Sequence, residues 1–147
     1  MRLISCHIEN FGRLHDCSMD FSENLNVICE ENGWGKSTFA AFIRAMFYGL
    51  EGERKRSIED NERKRYKPWQ GGVFGGQLVF EERERKYEIT RIFQDKEAND
   101  EFELRDADTN LISNDYSDRI GEELFQVGRE SFLHTIFIGQ SACETYA

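Results

Sequence analysis

Apolar and polar residues alternate over Leu3–Phe11 (LISCHIENF), the two-residue period of a half-buried strand. Gly12-Arg13 is a turn signal, and Leu14–Phe21 repeats the alternation more weakly, so the two segments are expected to form a hairpin. Ser22-Glu23-Asn24 reads as a turn, and Leu25–Cys29 (LNVIC) as a short buried strand. After the loop Glu30–Gly35 the period changes. From Lys36 to Tyr48, Phe39, Phe42, Ile43, Met46 and Phe47 fall on one helical face, Ala40 and Ala41 favour helix, and Gly49 is placed to cap the end.

The second half reads differently. Residues 51–72 are highly charged, hold the only proline, Pro68, and end in Gly71-Gly72, the signature of a mobile surface excursion between two lobes. Gly75–Glu81, Lys86–Phe93 and Glu101–Asp106 are expected strands of an antiparallel meander. In the middle strand Tyr87, Ile89, Arg91 and Phe93 face one way, against Glu88, Thr90 and Ile92. Asp118–Val127 is an expected helix with Ser117 as its N-cap, and the apolar run Phe132–Ile138 an expected buried strand ending at Gly139-Gln140.

Composition adds limits. A chain of 147 residues is the size of one domain and needs no disulfide or metal to fold. Cys6, Cys17, Cys29 and Cys143 are far apart with no C-x-x-C pair, and His7, His15 and His134 lack metal-ligand spacing. The thiols read as those of a cytoplasmic protein; with apolar runs too short to span a bilayer, no membrane partner is expected. The net charge of −9 should repel nucleic acid as a whole. Residues 53–67 (ERKRSIEDNERKRYK) run against it, with seven basic and four acidic side chains.

The informative segment is Asn32-Gly33-Trp34-Gly35-Lys36-Ser37-Thr38. A strand, a glycine-bearing loop and a helix opening at G-K-[ST] form the P-loop (Walker A) arrangement. Glycines let successive backbone N–H groups curl toward phosphate oxygens, and the helix N-terminus adds unsatisfied donors and partial positive charge. Lys36 is suited to the β- and γ-phosphates, Ser37 to Mg²⁺ and Thr38 to the α-phosphate side, so ATP with Mg²⁺ is the expected ligand. An ordinary helix would place an acid, not Lys36, in its first turn. One residue departs from G-x-x-x-x-G-K-[ST]: Glu30 stands where the first glycine belongs. A left-handed backbone there costs a non-glycine residue about 1–2 kcal/mol, and its carboxylate repels phosphate. The expectation is weakened but surviving ATP binding.

From Leu3 to Leu50 the chain resembles the N-terminal half of an ABC-type ATPase head of the SMC, SbcC and RecF group, AAA-family proteins with long coiled coils. The matching features are a first strand ending in Asn10-Phe11 plus a turn, the N-G-x-G-K-[ST] loop Asn32–Ser37, a lobe of antiparallel strands, and a glutamine after an apolar segment, Gln140 in TIFIGQ. The resemblance implies an α/β fold, a P-loop NTPase core of ABC-ATPase-head type with an antiparallel β lobe. Residues 1–147 would be the N-terminal part of one head: 1–50 strand, hairpin, P-loop and helix; 51–72 the charged excursion; 73–113 the β lobe; 114–147 a helix and the Q-loop segment. It further implies that Gln140 helps hold Mg²⁺ and sense the γ-phosphate, and that a basic residue in the first turn, here Arg13, touches phosphate. A C-terminal half beyond a coiled coil would bring the signature motif and Walker B carboxylates. Two such heads would sandwich ATP as a homodimer, as an ATPase in DNA repair or chromosome maintenance.

Two segments imitate missing parts. Phe74-Gly75-Gly76-Gln77 resembles the LSGGQ signature but lacks its serine and precedes a strand, and Leu78–Glu82 imitates Walker B inside the meander. Neither is assigned, so no catalytic carboxylate is identified. Three readings stand for the basic segment, Arg54, Lys55, Arg56, Arg63, Lys64, Arg65 and Lys67, with Tyr66 and Trp69 nearby: DNA contact, a solvated loop paired with Glu59, Asp60 and Glu62, or an arginine reaching nucleotide. Two rival functions also stand: a structural or interaction module with a decayed P-loop, for which Glu30 speaks, and a compact P-loop kinase.

Overall fold

The computed structural model describes residues 1–21 and 36–135, with backbone only for Lys36 and residues 133–135. The expected strand 25–29, the loop 30–35 and Gln140 lie outside the described residues. Strand β1 (Arg2–Phe11) and strand β2 (Leu14–Asp20) form the expected hairpin, closed by Phe11↔Leu14. Its two-residue turn begins at Gly12 with φ +58°, a conformation that costs glycine little. Helix α1 spans Lys36–Tyr48 as its periodicity predicts, and Gly49, at φ +75°, closes it with an N–H bond to the Ala45 carbonyl of 2.7 Å.

Strands β3 (Gly75–Glu82), β4 (Arg85–Ile92) and β5 (Glu101–Asp106) make the meander, but not as a sheet of their own. β3 pairs antiparallel with β1, giving one five-stranded sheet in the order β2-β1-β3-β4-β5. The described sheet is antiparallel throughout. It therefore matches the antiparallel part of the expected α/β architecture and fits a parallel P-loop core only loosely. Gly75 and Gly76 belong to β3, which rules out a signature helix at that point.

One face of the sheet receives α1. Phe39, Phe42, Met46 and Phe47 are buried against Ile8, Phe11, Leu78, Phe80, Ile89 and Leu104. Phe11 is the hub: its ring lies 4.9 Å from Tyr66 in a stack and 5.6 Å from both Phe42 and Phe74. Burial of such rings stabilises the fold by roughly 2–3 kcal/mol each. Cys6 shares this core, and burial pushes its thiol up to about 12, an inert group rather than a reactive one.

Arg91 sits on the buried face of β4, as its alternation predicts, among aromatic neighbours. Its Nε donates to the Met46 carbonyl at 2.8 Å and Nη2 to the Asp118 carbonyl at 2.6 Å, with the Phe102 ring 4.7 Å beneath. The last turn of α1 carries no basic residue, so Arg91 supplies donors that its terminal carbonyls otherwise lack. Burial pulls the Arg91 pKa down to about 10, still cationic at neutral pH.

Three expectations need correction. The helix expected over 118–127 is α3, Ile120–Phe125; Arg119 is its N-cap, and Ser117 bonds instead to Glu123 through its N–H at 3.0 Å. Residues 132–135 are not strand but the end of helix α4 (Arg129–Thr135), where Phe132 packs on Tyr48 at 4.9 Å. A short apolar run carries no period to separate helix from strand, and packing against α1 decides it. The charged segment is no free excursion: it holds helix α2 (Glu62–Arg65), with Asn61, Glu62, Arg63 and Tyr66 buried.

Candidate nucleotide site

The first turn of α1 carries Lys36, Ser37 and Thr38 and no acidic residue; Ser37 is exposed and Thr38 half-buried. The N–H groups of the first turn and the positive end of the helix dipole thus meet no carboxylate from their own turn. The β1–β2 turn lies against this point: a Cβ on Gly12 would stand 3.0 Å from Thr38 Cγ2. Arg13, exposed, follows Gly12 in the turn that meets the first turn of α1, far from that helix in sequence. Asn32, Gly33, Trp34, Gly35 and Gln140 lie outside the described residues, as does the Lys36 side chain. What is present fits an anion: a helix start without acids, a hydroxyl open to solvent, and a turn whose missing side chain permits close approach.

The charged segment completes this corner. The Gly12 N–H donates to the Tyr66 carbonyl at 2.7 Å and the Trp69 N–H to the Gly12 carbonyl at 3.3 Å. Asn10, buried at the end of β1, donates from Nδ2 to the Val73 carbonyl at 2.9 Å and accepts from Gln70 Nε2 at 2.8 Å. The Arg13 guanidinium lies 5.7 Å from the centre of the Trp69 ring. In sequence Arg13 and Trp69 are unconnected, Asn10 stands only as the end of the first strand, and Gln70 carries no signal of its own; the Asn10–Gln70 bond depends on the pairing of β1 with β3.

The basic residues divide. Arg54, Lys55, Arg56, Lys64, Arg65 and Lys67 are exposed, with Lys64 Nζ donating to the Arg56 carbonyl at 3.3 Å. Arg63 is drawn inward and is not available as a nucleic-acid contact. Its two Nη atoms each bond an Asp100 carboxylate oxygen at 2.7 Å, and hydrogen bonding to Asp100 raises its pKa against the desolvation.

The imitation motifs lie away from this corner. In β3, antiparallel to β1, Glu81 and Glu82 stand at the opposite end of the sheet from Gly12, Glu81 3.7 Å from Arg2 and Glu82 3.3 Å from the N-terminal amine. A cavity of about 530 Å³ lies at the other end of α1, lined by Gly49, Arg63, Arg91, Asp100, Asp118 and Arg129. Its two buried arginines are already engaged, Arg91 by carbonyls and Arg63 by Asp100. Among the described residues there is no cluster of metal-ligating side chains and no helix long and apolar enough to cross a membrane.

A family model described as an AAA domain matches residues 5–145. The chain is also similar to the uncharacterized protein YhaN of Bacillus subtilis (strain 168), with 34% identity over 97 residues, 65% of this chain. The chain spans only 9% of that relative's length. AAA domains bind nucleotide, usually with Mg²⁺, which the helix start and the Gly12–Arg13 turn fit. Over nearly its whole length, this chain belongs to the AAA domain family.

Proposed function

We propose that the chain is the ATP-binding N-terminal segment of an SMC/SbcC-like ATPase head, one that serves DNA repair or chromosome maintenance. The observation that carries the reading is the approach of the Gly12–Arg13 turn to the acid-free first turn of α1. In this reading Lys36, the α1 N-terminus and Arg13 hold phosphate charge, Ser37 and Gln140 hold Mg²⁺, and the loop Asn32–Gly35 wraps the phosphates. In this reading ATP binding and hydrolysis together govern the engagement of two heads. Glu81 and Glu82 stand at the far end of the sheet, so the carboxylate that activates water comes from the C-terminal half of the head.

Calorimetric titration of MgATP into the full chain tests this. Binding is expected, and Lys36→Ala should weaken it roughly 10- to 150-fold, the worth of a charge-assisted bond to phosphate. No binding by the parent chain favours instead a module whose P-loop has decayed at Glu30.

DNA is the proposed partner of the exposed cations. Replacing Arg54, Lys55, Arg56, Lys64 and Arg65 by glutamine, with Arg63 kept for the fold, should flatten the slope of log affinity against log salt. Each lost phosphate contact removes about 0.9 from that slope. An unchanged slope rejects this surface.

A further inference from the structure

We propose that Trp69, backed by Arg13, is the platform on which the purine base of the bound nucleotide stacks; this rests on reading the α1 N-terminus as the phosphate site. Trp69 is 75% exposed, whereas the other aromatic rings among the described residues largely form the core or pack against it. An exposed ring alone means little. Here the loop that presents it is pinned.

Its backbone is tied by the Trp69 N–H to Gly12 and by the Tyr66 carbonyl, which accepts the Gly12 N–H. The next residue, Gln70, is held by Asn10, which is only 5% exposed and also grips the Val73 carbonyl. Pro68, on the other side, has a fixed φ. A large apolar ring held toward solvent by a backbone pinned through these bonds is a prepared surface, because its ordering cost is met before a ligand arrives.

The location selects the ligand. Gly12, which anchors Trp69, is the residue that meets Thr38 in the first turn of α1. The platform and the phosphate helix therefore share one fixed turn. Arg13 lies along the ring at 5.7 Å, which leaves most of the residue open while a cation supports it. A flat base completes such a stack. Stacking reads ring area rather than edge atoms, so the site should prefer purines to pyrimidines and separate ATP from GTP little.

The test is calorimetry on the full chain with MgATP, MgGTP, MgCTP and magnesium tripolyphosphate, which has the phosphates without a base. Trp69→Ala should weaken ATP and GTP about tenfold or more and leave tripolyphosphate unchanged. Trp69→Phe should retain most of the affinity, and circular dichroism should show both variants folded. Equal losses for ATP and tripolyphosphate, or no loss for ATP, overturn the proposal. So does a loss confined to single-stranded oligothymidine, which would assign the ring to nucleic acid. If tripolyphosphate binds and depends on Lys36 while Trp69→Ala leaves ATP untouched, only the platform falls. If the parent chain binds neither ATP nor tripolyphosphate, the phosphate site falls with it.

Discussion

Glu62→Ala is expected to destabilise the fold by about 3–5 kcal/mol, the usual consequence of removing the shared partner of buried charges. Glu62 is one carboxylate between two guanidinium groups. One oxygen pairs with Arg44 of α1 and the other with Arg129, which opens α4. The side chains are 10%, 11% and 17% exposed for Glu62, Arg44 and Arg129. The Nε atoms of both arginines are buried without a hydrogen-bond partner among the described residues, so little else compensates their charge. Arg129 keeps Glu51 at 3.0 Å, which should hold the loss below that of a wholly orphaned pair.

Urea unfolding followed by circular dichroism gives the measurement. Replacing Arg44, Glu62 and Arg129 together by apolar residues of similar size should recover most of the stability, because the desolvation cost disappears along with the attraction. If Glu62→Ala costs less than about 1 kcal/mol, the triad behaves as a surface pair and is not a clamp.

Gly76→Ala is expected to cost about 3 kcal/mol or more, beyond the usual 1–3 kcal/mol of an overpacked side chain. The reason is that the added methyl would meet backbone. Its Cβ would stand 2.2 Å from the His7 carbonyl oxygen and 3.1 Å from Ile8 Cα. Gly76 is paired on one side with Ile8 and on the other with Arg91, so β3 cannot retreat without opening a ladder. The comparison is Gly71→Ala. Gly71 has φ +78° and nothing within 4 Å of its Cβ position, so that change costs only left-handed strain, about 1–2 kcal/mol. Unfolding midpoints of the two variants should differ clearly; equal midpoints would show that β3 can shift to admit a methyl. The glycine pair in FGGQ is thus explained by strand packing.

Much of the architecture was legible because its signals are local. The alternation of Leu3–Phe11, the helical face Phe39–Phe47 and the cap Gly49 each carry their own period or conformational demand, and each stands where expected. The meander was legible for the same reason. What failed lacked a local signal. Phe132–Thr135 is apolar with no period of its own and becomes helix by packing on Tyr48. Residues 51–72 look solvated by composition, yet Glu62 and Arg63 are buried, since their partners come from α1 and α4 for Glu62 and from Asp100, just before β5, for Arg63. Charge counts cannot tell a buried pair from an exposed one.

The sequence by itself determined the type of chemistry: the run Asn32–Thr38 demands a loop and helix start shaped for phosphate, and its glycines and lysine say so without any neighbour. Only the tertiary structure decided what surrounds that helix. Pairing of β1 with β3 places Asn10 where it can hold Gln70 and Val73, and the hairpin turn sets Gly12 against Thr38 and Arg13 over Trp69. The same packing removes Arg63 from the basic surface. These are contacts between residues distant in the chain, set by strand register and core packing.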